Sequence, residues 1–241
     1  MDGQKEHHDF SVCREGGFDI ALEAIREAVK RGFRVTTNTT LFDGTDPNSV
    51  RGFFDEMMSL GVEGMMLSPG YSYEKAPDQT HFLGKDRTRE LFRQILSNRK
   101  KSWKFNATPL FFEYLMGKRQ YECTPWGIPT FTMFGWQKPC YLLQDGYADT
   151  FKELIEETNW DGYGEKSGNP RCANCMVHSG FEPSAVNHTF GSLGGMFATV
   201  KGMLSTYDDP EALAALKAPR PAQTHGPLVQ IESEVTSQPT R

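Results

Sequence analysis

Hydrophobic and polar positions in the first seventy residues follow two alternating periods. Apolar residues recur at helical spacing over 17–31 and again over 48–60, which predicts two amphipathic helices. Between and after them, alternating β-branched and apolar residues predict strands over 33–40 and 62–68. A strand, a helix and a strand repeating about every thirty residues are typical of a βαβ unit, which implies a parallel sheet.

Two strands and two helices are too few to cover both faces of a parallel sheet, which is normally buried on both sides. The chain also opens on a loop and a helix, with no earlier strand to pair. The sequence therefore predicts an α/β fold in which residues 1–116 form the C-terminal half of a partial (βα) barrel. We expect one edge of its sheet to be left unpaired.

The sequence predicts a helix at 86–99 and a shorter one at 109–116, and beyond them the hydrophobic periodicity is no longer regular. Residues 117–205 are rich in glycine, proline, aromatic residues and cysteine, with a helical stretch near 148–157. We interpret 117–205 as a small, irregular, cysteine-rich region. Residues 206–241 turn proline-, alanine- and serine/threonine-rich, which predicts a disordered tail.

Charge and composition narrow the function classes. The chain has 26 basic against 31 acidic residues and a net charge of -5, which gives no support for nucleic-acid binding. No apolar run approaches the ~20 residues that span a bilayer, and the N-terminus is polar, so we expect a cytoplasmic protein. An odd cysteine count of five argues against a disulfide framework.

Four of the five cysteines form a candidate metal site, made of Cys123, Cys140 and the C-x2-C knuckle Cys172–Cys175. A knuckle turns two thiolates toward one metal ion. Irregular Cys₄ spacing suits a [4Fe–4S] cluster at least as well as zinc, and His178 is close enough in sequence to replace one thiolate. Spacing alone leaves both metals open. The fifth cysteine, Cys13, stands alone, and we expect it to pack in the interior.

Long segments of the chain resemble a known family. The spacing C-x11-G-x4-C followed by C-x2-C is similar to the auxiliary-cluster region of radical S-adenosylmethionine enzymes. The segments MMLSPGYSYEKAPDQTHFLG, CTPWGIPTFTMFGWQKPCYLLQDGYADTFKELI and PRCANCMVHSGFEPSAV are similar to the adenosylhopene transferases of hopanoid biosynthesis, a branch of that family. The similarity runs from residue 1 to about 200.

The resemblance implies a fold, a reaction and partners. The first region would be part of a radical S-adenosylmethionine barrel, and Cys123, Cys140, Cys172 and Cys175 would hold an auxiliary [4Fe–4S] cluster. A 5′-deoxyadenosyl radical from S-adenosylmethionine would add to a hopene to give adenosylhopane. The hydrophobic triterpene, an electron-donor protein and a peripheral membrane contact would be the partners.

The same resemblance assigns cofactor-binding residues. Strand C-terminal ends carry the functional groups of such barrels, which selects Asp2, Asn38, Ser68 and Tyr71 as contacts to adenosine or substrate; the catalytic residues stay unassigned. The family's C-x3-C-x2-C cluster motif and its Gly-Gly-Glu segment have no counterpart in this sequence. We therefore expect this chain to be the C-terminal portion of such an enzyme and inactive alone. The alternative is a stand-alone zinc or iron–sulfur module with a structural or interaction role.

Overall fold

The computed structural model describes residues 1–76 and 79–218. Its helices are α1 Lys5–Ser11, α2 Gly17–Lys30, α3 Pro47–Ser59, α4 Lys85–Leu96, α5 Pro109–Leu115, α6 Phe151–Glu157, α7 His178–Gly191, α8 Leu193–Leu204 and α9 Pro210–Lys217. Its strands are β1 Thr36–Leu41, β2 Gly64–Pro69, β3 Phe131–Thr132, β4 Gly135–Gln137 and β5 Tyr147–Ala148.

Strands β1 and β2 are parallel and in register, with Thr36 opposite Gly64 and Leu41 opposite Pro69. The helix α3 connects them, which confirms the predicted βαβ unit. One face of this pair is buried against the helical layer, where Leu41, Met65 and Leu67 are at most 1% exposed. Within the described residues the strands form two small sheets and no closed barrel, so the partial barrel stays a prediction.

The two edges of the β1–β2 pair differ. On the far side of β2, Phe105 pairs with Met65 as a single parallel bridge. On the outer side of β1, no strand pairs among the described residues. Two contacts cover part of that edge: the Met1 ammonium donates to the Asn38 carbonyl at 2.6 Å, and the Thr40 N–H donates to Asp2 Oδ1 at 3.0 Å. The β1 edge therefore lacks a strand partner in the described part of the chain, as predicted.

The core lies between this sheet and α3, α4 and α5. Asp46 caps α3 by accepting the Asn48 and Ser49 N–H groups, and proline at the first helical position suits that start. Fully buried aromatic residues from α3 and α5 pack edge to face around Phe105, whose ring centroid lies 5.3 Å from Phe54 and 5.2 Å from Phe112. This core fixes the base on which the cysteine-bearing loops rest.

The cysteine-rich region is irregular between residues 117 and 177, as predicted, and then helical. A three-stranded antiparallel sheet, β3–β4–β5, is followed by α6 and three short 3₁₀ helices at Trp160–Gly162, Glu165–Ser167 and Pro170–Cys172. The helices α7 and α8 pack on each other and on α5. The sequence prediction missed both of these helices, because glycine and proline interrupt their hydrophobic period.

Part of the predicted tail is folded. Residues 210–217 form α9, capped by Asp209, and α9 packs on α4. Asn48 Nδ2 donates to the Leu216 carbonyl at 3.0 Å, and Ser97 Oγ and the Asp209 backbone exchange hydrogen bonds at 3.1 Å. The disordered-tail prediction is thus wrong for this helix, since long-range contacts hold it; residues 219–241 lie outside the described residues. In the described part of the chain, no helix has the length and apolar character to cross a membrane.

Candidate metal centre

The four clustered cysteines line one cavity of about 390 Å³, here called the thiol cavity. Cys123 lies in the loop after α5, Cys140 in the loop after β4, and Cys172 and Cys175 flank the turn before α7. The loops that carry the cysteines have little regular secondary structure, so side-chain contacts and backbone turns fix the positions of the thiols. Residues up to 52 positions apart in sequence thus meet at one place.

The thiols share an environment that opposes charge. Burial, with a smaller contribution from the neighbouring cysteines, raises the pKa of Cys123 and of Cys175 to about 12. Burial also raises the pKa of Cys140, with Cys172 adding to the shift. In the metal-free chain these thiols therefore stay protonated at neutral pH. A bound cation would offset the mutual repulsion of the thiolates and lower these pKa values.

Hydrogen-bond donors already point at the sulfur atoms. The Val177 N–H donates to Cys175 Sγ at 3.4 Å. The Leu142 N–H and the Ser179 hydroxyl lower the pKa of the Cys140 thiol, against the larger effect of burial. These donors favour the thiolate form and act as outer-shell support for sulfur ligands. They are the kind of contacts that tune the potential of a thiolate-bound iron–sulfur cluster.

Arg171 and Asn174 fix the knuckle from both sides. The Arg171 guanidinium binds both carboxylate oxygens of Asp145 at 3.0 Å and Glu74 Oε1 at 2.7 Å, which joins three loops around the cavity. On the other side, Asn174 Oδ1 accepts the Lys85 N–H at 2.9 Å, at the start of α4. The turn is therefore anchored to the start of α4.

The donor set suits a thiophilic metal, although the thiols are not positioned as ligands. Among residues 1–76 and 79–218, no three His, Cys, Asp or Glu side chains are close enough together to ligate one ion. Four sulfur donors around one cavity, with N–H donors behind them, nevertheless fit an iron–sulfur cluster or zinc. Cys123, Cys140, Cys172 and Cys175 would hold the group after their side chains change rotamer toward a common centre.

A second and larger cavity adjoins the first. It measures about 800 Å³, is lined mainly by apolar and aromatic side chains, and shares Cys123 and Cys140 with the thiol cavity. We call it the apolar pocket; its walls include Trp126, Ile128, Tyr141, Leu154, Ile155 and Trp160. A concave apolar site of this size is typical of small-molecule binding.

His178 belongs to the apolar pocket. It lines that pocket beside Tyr141, with the ring centroids 6.3 Å apart, and burial lowers its pKa. The thiol cavity is lined by the four cysteines without it. The sequence argument that His178 replaces a thiolate is therefore not supported by this arrangement.

The four predicted cofactor contacts are distributed over three places. Asn38 and Ser68 lie on the same face of the β1–β2 pair, since Thr40 is the register partner of Ser68 and alternate residues share a face. Asp2 lies at the outer edge of β1, where Thr40 and Ser11 use both of its carboxylate oxygens. Tyr71 lines the thiol cavity, and its hydroxyl is bound to Thr88 Oγ1 at 2.7 Å.

Asn38 lies on a polar face of the β1–β2 pair, of which the sequence predicted only Asn38 and Ser68. Thr36, Asn38 and Asn106 are exposed there. The Asn106 side chain occupies the space that a Cβ at Gly64 would fill, since that Cβ would lie 1.8 Å from Asn106 Oδ1. Asn106 comes from a segment beyond the predicted strands, so no local pattern could have identified it. Arg171 and Ser179 were missed for the same reason, because they act on partners distant in sequence.

The sequence of this region matches one family model. The match covers residues 65–199, from β2 to α8, and includes all four clustered cysteines. It spans more than half of the chain. The chain belongs to the DUF3463 family. The family is described as a domain of unknown function. No curated protein matches the chain, and no solved structure matches it.

Proposed function

We propose that this DUF3463 chain is the cluster- and substrate-binding portion of a radical S-adenosylmethionine adenosyltransferase that converts a hopene to adenosylhopane. The observation that supports the proposal is the adjacency of the two cavities. Cys123 and Cys140 form a wall common to the thiol cavity and to the apolar pocket. An apolar substrate would therefore lie directly beside the metal-binding residues.

The apolar pocket suits a triterpene better than a polar substrate. Its walls come from tryptophan, isoleucine, leucine and tyrosine side chains, and few of its groups carry charge. A rigid hydrocarbon gains free energy at about 25 cal/mol for each Å² of apolar surface that it removes from water. Ser179 and His178, which also line this pocket, offer polar groups to a reacting end of the ligand.

The four thiols would hold the [4Fe–4S] cluster, which supplies one-electron chemistry when bound. Val177 N–H, Leu142 N–H and the Ser179 hydroxyl would stabilise the sulfur ligands as thiolates. The exposed face with Thr36, Asn38 and Asn106 offers hydroxyl and amide groups to the adenosine of S-adenosylmethionine. Ser68, on the same face, is buried, so its hydroxyl would support this face from below.

Anaerobic reconstitution with iron and sulfide tests the metal assignment. We expect a broad charge-transfer absorption and about four iron atoms per chain. Cys172→Ala should lose both, whereas Cys13→Ala, which removes an exposed thiol outside the cavity, should keep them. Equal iron in a variant lacking all four clustered cysteines would refute the assignment. Stoichiometric zinc without iron would favour the alternative, a cysteine-ligated structural or interaction module.

Ligand binding and turnover test the rest of the proposal. Hopene should change the tryptophan fluorescence, since Trp126 and Trp160 line the apolar pocket. Ile155→Arg, at its rim, should abolish that change, and Ile20→Arg, on α2, should not. Because the C-x3-C-x2-C motif is absent from the sequence, the reconstituted chain with S-adenosylmethionine, a reductant and hopene should form neither 5′-deoxyadenosine nor adenosylhopane. Turnover by the chain alone would contradict this account.

A further inference from the structure

The helix α8 is turned with its large side chains toward solvent. Leu193, Phe197, Val200 and Leu204 recur at helical spacing along one face and are 53–84% exposed. Phe190 at the end of α7, Met196 and Met203 extend the same surface. We call these seven residues the α8 patch. An apolar stripe of this kind normally faces a protein core.

The orientation of α8 is built into its opposite face. That face carries Gly195, Thr199 and Gly202, all buried. A Cβ at Gly202 would lie 2.7 Å from Pro109 Cβ, and one at Gly195 would lie 1.8 Å from the His188 carbonyl oxygen. Thr199 Oγ1 and Thr189 Oγ1 are hydrogen-bonded at 2.9 Å in the buried interface. Large side chains cannot occupy this side, so rotation of the helix cannot hide the patch.

Basic residues gather at the C-terminal end of the patch. Arg99 binds the Gly202, Met203 and Ser205 carbonyls and stacks on the Tyr207 ring, and Lys118 lies 5.7 Å from the centroid of that ring. Lys201 lies on α8 itself and is exposed, as is Lys118. Neither lysine forms an ion pair with the described residues. Of the nearby acids, Glu113 is paired with Arg119 and Asp209 caps α9, which leaves the exposed Asp208.

We infer that the α8 patch docks on the surface of an anionic lipid bilayer. A helix of twelve residues is about 18 Å long and lies in the plane of the headgroups. Its apolar side chains would enter the acyl boundary, and Lys118 and Lys201 would meet the lipid phosphates. Arg99, Lys118 and Lys201 outnumber Asp208 and Asp209 at this end of the helix, in a chain whose net charge is -5, which favours an anionic surface over a second copy of the chain.

Vesicle flotation with the full chain tests the inference. We expect the chain to float with vesicles of phosphatidylcholine and phosphatidylglycerol, and to float less with phosphatidylcholine alone or in high salt. Phe197→Ser with Leu204→Ser should weaken binding at least about tenfold, because two large apolar groups no longer enter the lipid. Lys118→Glu with Lys201→Glu should weaken binding to the anionic vesicles only.

Ile20→Ser is the matched control. It removes a 56% exposed apolar side chain from α2, a helix that packs on α1 and not in the α5–α7–α8 group, and it should leave flotation unchanged. Thermal melts will show that each variant is folded. Vesicle binding that the patch substitutions leave unchanged would overturn the inference. A dimer in gel filtration that these substitutions dissociate, without vesicle binding, would also overturn it by assigning the patch to a second copy. Neither result depends on the metal or on the proposed reaction.

Discussion

Gly180 leaves room for the Cys123 thiol: a Cβ at position 180 would lie 2.5 Å from Cys123 Sγ. Gly180 is buried in the first turn of α7, whose N-terminal end therefore packs against a predicted metal ligand. Helix α7 also carries Ser179, whose hydroxyl lowers the pKa of the Cys140 thiol. The start of this helix thus sets the positions of two of the four thiols.

Gly180→Ala should reduce metal binding, because the added methyl group displaces Cys123 from the thiol cavity. We expect at least about a tenfold loss of affinity, as for other disturbances of ligand support. Competition with a chromophoric chelator measures it. Gly191→Ala is the matched control at the other end of the same helix, where a Cβ would meet nothing within 4 Å. Equal affinities for the two variants would contradict the role of Gly180.

Alkylation of the metal-free chain should discriminate among the cysteines. The thiolate is the reactive form, so the raised pKa values of Cys123 and Cys175 should slow their reaction with iodoacetamide. Cys13 is exposed, contrary to the prediction that it packs, and we expect it to react first. Peptide mass spectrometry over time measures the order. In the metal-loaded chain the four clustered cysteines should be protected, and Cys13 should react as before.

The metal-free chain should lose stability in alkaline solution. Burial raises the pKa of Cys123 and Cys175 from the ordinary 9.0 to about 12, and that of Tyr207 from 10.0 to about 12. The folded state holds these protons where the unfolded chain releases them, so the stabilisation is complete below about pH 9 and is lost as the pH rises toward 12. Urea unfolding across this range measures the loss. Cys123→Ala with Cys175→Ala should flatten the dependence, and an unchanged slope would argue against the buried thiols as a source.

Substitution of two buried threonines by valine should change the stability of the fold in opposite directions. Thr39 is 0% exposed on the helix-facing side of β1, and its hydroxyl has no hydrogen-bond partner among the described residues. Thr39→Val should stabilise the fold by about 1 kcal/mol, since it removes an unsatisfied polar group without changing shape. Thr88→Val is the control: it leaves the buried Tyr71 hydroxyl unpaired and should cost about 1–3 kcal/mol. Thermal denaturation of both variants measures the difference in sign.

Local hydrophobic patterns predicted the elements whose core contacts come from their own sequence neighbourhood. The helices α2 and α3 begin and end within a few residues of the predicted bounds, and β1 and β2 pair in parallel as the βαβ pattern requires. In contrast, the sequence predicted a loop before α2, whereas Lys5–Ser11 forms the helix α1, in which His8 is 8% exposed. The His8 ring packs against the Phe18 ring, with the centroids 6.0 Å apart. This contact joins two helices, so the hydrophobic period of one helix does not predict it.

The site was predictable as far as the cysteines themselves. The C-x2-C turn identified Cys172 and Cys175, and a chain with two further cysteines nearby predicted a common site. The supports were not predictable, because Arg171 contacts residues 26 and 97 positions away. The exposed face of α8 was not predictable either, because the helix itself was missed and only the packing of Gly195 and Gly202 reveals which of its faces is buried.

The contacts between Arg99 and the end of α8 have a consequence for folding. Arg99 Nε binds the Ser205 carbonyl 106 positions away, and the Arg99 N–H binds the Thr206 carbonyl at 3.1 Å. All four clustered cysteines lie inside the loop that these bonds close. The entropy of closing so long a loop is lost at this junction. When its ends are joined, a metal has to order only the interior, where the thiols are at most 52 positions apart. Contacts of high sequence separation slow the folding of a chain, so closure at Arg99, rather than the meeting of the thiols, should limit how fast the cysteine-rich region folds.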